Sequence, residues 1–173
     1  MKNIYQECKA KLSSQEANDL LLGRELPKVR YVDLYKGQYL SPELFDVMPL
    51  PAVLIEWSIN HIDETATLSL HLVYEQLRDT SSLSASPVAS LKFFDYINTI
   101  HELINGLESV NTGKLEPAGF SPIQLDRVAT AHMLNYQCSY QDILDKIDPY
   151  TYTDGNAELE LTKHIVKYFD FEN

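Results

Sequence analysis

A chain of 173 residues, 45% of them hydrophobic and with 11 Tyr, 6 Phe and one Trp, holds the material for one ordinary packed domain, which excludes general disorder. Fourteen basic residues against 25 acidic ones give a formal charge of −11, and no window gathers Lys and Arg; specific nucleic-acid binding and adsorption to anionic lipid are both excluded as main tasks. No apolar run approaches the ~18 residues that cross a bilayer, and the start "MKNIYQECKAKLSSQE" lacks the apolar core and cleavage site of a signal peptide, so a soluble protein made in the cytoplasm is expected.

Ile4, Cys8 and Leu12 recur every four residues and predict a helix over 3–12 with one apolar side. Ser13 with Glu16 offers a capping box for a second short helix carrying Ala17, Leu20 and Leu21, with Gly23 as its stop. The β-rich "VRYVDL" of 29–34, the Lys36-Gly37 turn and "QYL" read as a hairpin or a strand with an irregular return. Pro42, Pro49 and Pro51 stiffen the stretch 41–51 into an extended connection. Ala52 to Trp57 follows as a strand whose continuous apolar run closes on Glu56 and Trp57, the pattern of a strand covered on both faces.

Beyond the turn "NHIDE", residues 66–76 alternate. Leu68, Leu70, Leu72 and Tyr74 take one face, with Thr67, Ser69, His71, Val73 and Glu75 on the other. Ser86-Pro87 then signals a helix start. The helix runs over 88–107 with a wide stripe of Phe93, Ile97, Ile100, Ile104 and Leu107, joined by Val88, Leu91, Phe94 and Leu103, and Asn105-Gly106 begins its end. Residues 108–122 read as a loop with one short strand at most. Residues 128–140 form a long last strand, with His132, Leu134, Tyr136 and Cys138 on one face. The fold class is therefore α+β: a mostly antiparallel twisted sheet covered by one main amphipathic helix and an N-terminal helix. Residues 1–142 make the single domain, and 143–173 an acidic extension with a short helix at 157–169.

No glycine pair has phosphate-cradle spacing, and no Gly-x-Ser-x-Gly elbow exists. The five histidines are dispersed, without His-x-x-x-His or Cys-x-x-Cys, so no metal set is assigned. Cys8 and Cys138 read as free buried thiols. His71 reads as a solvated or interface histidine, and His101-Glu102 as a solvated helix side. Glu56 and Glu75 sit at strand ends, where a rim carboxylate or, for Glu56, an intersubunit ion pair outweighs catalysis. Tyr31, Tyr35 and Tyr39, with Gln38, suit either an interface or core filling.

The order of elements, together with "YVDLYKGQY" (31–39), "MPLPAVLIEW" (48–57), "LSLHLVYE" (68–75), the helix 88–107 and the closing strand ending "CSYQD" (138–142), resembles the phage tail terminator, or tail-completion, proteins related to minor tail protein U of lambdoid phages. The resemblance covers roughly 1–142. It implies a prophage- or phage-encoded structural subunit, a homo-oligomer that assembles as a hexameric ring on the end of the tail tube. The ring would stop tube growth and offer the head or neck connector its attachment surface, placing the protein in the virion tail. The family brings no cofactor and no catalytic residue. Its strand edges and loops make the contacts, so 46–51, 60–66 and 78–86 are the expected contact segments, with Tyr35, Gln38, Pro49, Pro51, Glu56, Trp57, His61, Arg78 and Asp79 as interface residues. A ring of such acidic subunits would repel DNA passing its lumen. The alternatives are a head-tail connector or contractile-injection subunit and, behind these, an enzyme with an unrecognised pocket.

Overall fold

The computed structural model describes residues 1–41, 48–75, 83, 87–123 and 129–141, all within one compact unit, Met1–Gln141. The expected contacts at Arg78 and Asp79, the Ser86 cap and the helix at 157–169 lie outside the described residues. In chain order the elements are α1 (Lys2–Leu12), α2 (Gln15–Gly23), β1 (Tyr31–Leu34), β2 (Ala52–Asn60), β3 (Thr65–Glu75), α3 (Pro87–Ile104), β4 (Glu116–Ile123) and β5 (Ala129–Ser139). The five strands form one sheet in the order β1-β2-β3-β5-β4. Every neighbouring pair is antiparallel except β1 with β2. The fold is α+β, as the sequence predicts.

Alternation decides which strand residues meet the helices. Val53 and Ile55 of β2, Leu68, Leu70 and Leu72 of β3, and Leu134, Tyr136 and Cys138 of β5 join one core with Ile4, Cys8 and Leu12 of α1, Ala17 and Leu21 of α2, and Tyr96, Ile97, Ile100, Leu103 and Ile104 of α3. A fully buried Leu in such a layer contributes about 1.5–3 kcal/mol. The α3 stripe is narrower than expected, because Leu91 and Phe94 stay about half exposed while Tyr96 is fully buried.

Several local expectations shift. The cap of α2 is Ser14, not Ser13: its hydroxyl accepts from Ala17 N–H at 3.1 Å and donates to the Lys11 carbonyl at 2.8 Å. Ser13 is occupied as the C-cap of α1, and Glu16 instead pairs with Lys11 at 2.7 Å. Gly23 is the last residue of α2, as expected of its stop, but the left-handed residue is Glu25 at φ 56°. Of the two readings of 29–39, a hairpin and a strand with an irregular return, the structure has the second: β1 runs parallel to β2, with Tyr31 opposite Ala52 and Leu34 opposite Ile55. "QYL" becomes part of a turn because the Gln38 side chain closes it, accepting from Lys36 N–H at 2.7 Å and donating to the Leu34 carbonyl at 2.6 Å. The Leu50–Pro51 peptide is cis, and Pro51 accepts from Arg30 N–H.

The stretch taken mostly as loop contains the eight-residue β4, with a register shift between Pro117 and Gly119. Pro117 and Pro122 are tolerated because β4 is the edge of the sheet, where a missing N–H leaves few ladder partners unmatched. α3 closes with Gly106 at φ 76°, whose N–H donates to the Leu115 carbonyl at 2.9 Å.

Candidate functional site

The sheet face away from the helices divides into a covered end and an open one. Register lines up Asp33, Leu54, His71 and Met133 in one row across it, and Glu56, Ser69 and Asn135 in the next. At the β2 start, Tyr31, Tyr35, Tyr39, Met48 and Leu50 pack over Ala52, Leu54, Val73 and Ala131. This accounts for the continuous apolar run at 52–55, since both its faces are buried. Beyond Glu56 the cover stops: Ser58 and Asn60 are exposed, Thr65, Thr67 and Ser69 half-buried, and Gln137 and Ser139 exposed. Ser69 Oγ donates to Asn135 Oδ1 at 2.7 Å on this open part.

His71 sits at the boundary; of its two readings, solvated or interface, the solvated one does not hold, since it is 3% exposed. Its Nδ1 lies 2.6 Å from Tyr39 Oη and its Nε2 3.0 Å from Glu56 Oε2. A carboxylate only accepts, so Nε2–H donates to Glu56 and Nδ1 accepts the Tyr39 proton. The Tyr35 ring stacks on the imidazole at 4.1 Å. Burial lowers the His71 pKa from its ordinary value against the opposing pull of Glu56, and the lowered value favours the neutral ring. The Tyr39 hydroxyl is held protonated, raised first by its own burial and then by Tyr35 and the Glu56 charge. With both nitrogens engaged and one ring face covered, the imidazole has no free lone pair with which to accept a substrate proton.

The expected interface residues fall in different places. Glu56 keeps about half of its side chain in solvent while it holds His71. Gln38 is buried at 3% and spends its amide on the turn, and Tyr35 covers His71. Pro49 is exposed, whereas Pro51 is buried. Trp57 faces the helices, partly buried against the core and edge-on to Tyr5 at 6.3 Å. His61 stands exposed in the β2–β3 turn, 6.3 Å from the Tyr140 ring.

That turn is one of two projections at the same end of the sheet. Tyr140 N–H donates to the Glu64 carbonyl at 2.7 Å, and on its other side Tyr140 bridges Thr112. Turns 61–64 and 109–112 therefore flank β5 about two strand spacings, or ~10 Å, apart. Ile62 at 93% exposure and Val110 at 81% tip them. A second apolar patch lies beside the β4 edge, where Phe94 and Phe120, each near half exposed, both approach the His132 ring, and the half-exposed Leu91 precedes Phe94 by three residues on α3. Under it, Phe120 stacks on His132 at 5.1 Å and Phe93 tilts against the same ring at 4.6 Å. His132 is buried with its Nδ1 unpartnered among the described residues, and burial lowers its pKa. His101, expected on a solvated helix side, instead approaches Tyr136 Oη at 2.8 Å through Nδ1 and ties α3 to β5.

The two patches carry the residues that sequence reasoning missed. Ile62 falls inside the expected contact turn 60–66, and Phe120 inside 108–122, which reads as loop. Their signal was weak: a lone apolar residue in a polar turn is common and seldom informative. Among the described residues no group of three or more His, Cys, Asp or Glu could hold a metal ion, and no helix is long and apolar enough to cross a membrane. No protein-family model matches the chain, and no curated protein sequence matches it.

Proposed function

We propose that the chain is a structural subunit that assembles with copies of itself into a ring, and that the ring is the tail-completion ring of a phage or prophage, seated on the tail tube and facing the head or neck connector. The observation that carries this reading is a pair of unlike apolar patches, which hold five of the eight exposed large hydrophobic side chains among the described residues, with Leu22, Leu40 and Leu83 outside both. Ile62 and Val110 project from one end of the sheet, while Leu91, Phe94 and Phe120 lie beside the β4 edge. Unlike patches on one subunit favour head-to-tail contacts, which close into rings when the rotation allows. The resemblance of residues 1–142 to tail-completion proteins supplies the biological setting. The engagement of both His71 nitrogens supports a structural over an enzymatic role for the His71–Tyr39–Glu56 network.

The test is the solution mass of the full chain by light scattering over a wide concentration range, followed by addition to tubes polymerised from the same phage's tube protein. Rings on tube ends and tubes of arrested length are the expected result. A chain that stays monomeric, leaves tube ends bare and does not alter tube length overturns the reading.

A further inference from the structure

We propose that segment 35–41 is a proton-operated clasp: it closes the apolar end of the open sheet face while His71 is neutral, and it releases when His71 takes up a proton, uncovering Ala52, Leu54 and Val73. The two partners differ in how firmly they are held. His71 is fixed in the middle of β3, paired to Leu54 of β2 on one side and Met133 of β5 on the other. Among the described residues, the backbone of segment 35–41 is joined to a strand only by Tyr35 N–H, which donates to the Ile55 carbonyl. It is folded on itself through the Gly37 carbonyl, which accepts from the Leu40 and Ser41 N–H groups, and through the Gln38 side chain. What ties this turn down onto the sheet is the Tyr39 hydroxyl at Nδ1, the Tyr35 ring on the imidazole face and the packing of Tyr39 on Leu54 and Val73.

Protonation reverses the polarity of that tie. Nδ1 changes from acceptor to donor, so it meets a hydroxyl whose own proton has lost its acceptor, and the site must also hold a cation at a residue only 3% exposed, with the Tyr35 ring of the clasp stacked on one face. Opening solvates the imidazolium at once. The titratable groups facing the ring are Tyr35 and Tyr39 from the clasp and Glu56 from β2. β5 presents Met133, and the Asp33–Lys36 pair stands two strands away in the same row. Glu56 favours the charged ring and so opposes release, while burial favours it; burial dominates. By linkage, opening becomes up to tenfold easier per pH unit between the ordinary histidine value near 6.5 and the midpoint of His71 in the closed state.

The full chain tests this by NMR, following the His71 ring resonances and amide-exchange protection together. Protection over 35–41 is expected to fall as pH drops below about 6.5, with a limit set by the His71 midpoint, while Leu68 and Leu70 in β3 keep theirs. Tyr39→Phe, which preserves shape, is expected to reduce clasp protection about fivefold at pH 7.5 through the lost hydrogen bond and to raise the His71 midpoint. Glu56→Gln is expected to lower the midpoint and to hold the clasp shut to lower pH. The proposal is overturned if His71 titrates at or above its ordinary value, if 35–41 protection ignores pH or falls in step with β3, or if Tyr39→Phe changes nothing. These outcomes do not depend on ring formation, so a monomeric chain leaves them in force.

Discussion

Gly23 and Gly106 offer a matched pair of substitutions to Ala whose effects should have opposite signs. An added Cβ meets no atom within 4 Å at either position, so packing drops out and only backbone conformation remains. Gly23 has an ordinary φ and ends α2; Ala there narrows the unfolded ensemble and suits the helix, for a gain of about 0.4–1 kcal/mol. Gly106 stands at φ 76°, where an L side chain costs about 1–2 kcal/mol, partly offset by the same unfolded-state gain. The net loss at Gly106 is about 0.5–1.5 kcal/mol, and the two variants should differ by about 1.5 kcal/mol. Urea unfolding followed by circular dichroism measures this directly, as midpoints moved to opposite sides of the parent with unchanged slope. In thermal scans the separation should reach about 3–6 °C for a domain of this size. Midpoints moving in the same direction, or a stabilising Gly106→Ala, would show that the backbone argument is wrong.

Other consequences follow from the core and its titrating groups. Leu70→Ala, at a side chain with no exposure, should cost about 2–5 kcal/mol in urea unfolding, whereas Leu22→Ala, at a side chain about half exposed, should stay within about 0.5 kcal/mol. His71 and His132 both have folded pKa values lowered by burial, so the unfolded chain binds more protons below about 6.5. Stability should be full above that pH and fall as the pH drops toward the folded values, as chemical denaturation at a series of pH values will record. The Cys8 thiol is buried and pushed up to about 12 by burial first and by the Glu7 charge second. A thiol reagent at neutral pH should therefore label it only in denaturant, measured as mass added with and without urea.

Much of the fold was legible because its signals were periodic. The four-residue spacing of Ile4, Cys8 and Leu12, and the alternation of Leu68, Leu70 and Leu72, each encode a single buried face that neighbouring elements confirm. The uninterrupted apolar run at 52–55 even announced a cover on the second face. That cover comes from tyrosines at 35 and 39, however, and they reach His71 across more than 30 residues of chain. Strand periodicity assigns His71 a face without saying what lies over it. The direction of β1 was likewise hidden, since a short strand before a turn reads the same whether the chain returns at once or crosses over to pair in parallel. β4 was obscured because Pro117, Gly119 and Pro122 are turn signals locally and edge-strand residues only in context.

That edge limits how far the sheet can spread. A sheet grows by recruiting another backbone along an unpaired border, and a border without a full row of donors is a poor template. On β4, two of eight residues bring no N–H and the register breaks between Pro117 and Gly119. Copies of the chain are thus discouraged from zipping together strand by strand at this border. Contacts made there would have to be read by side chains such as Phe120, which select a partner by shape, instead of by a backbone pattern that any extended chain can match.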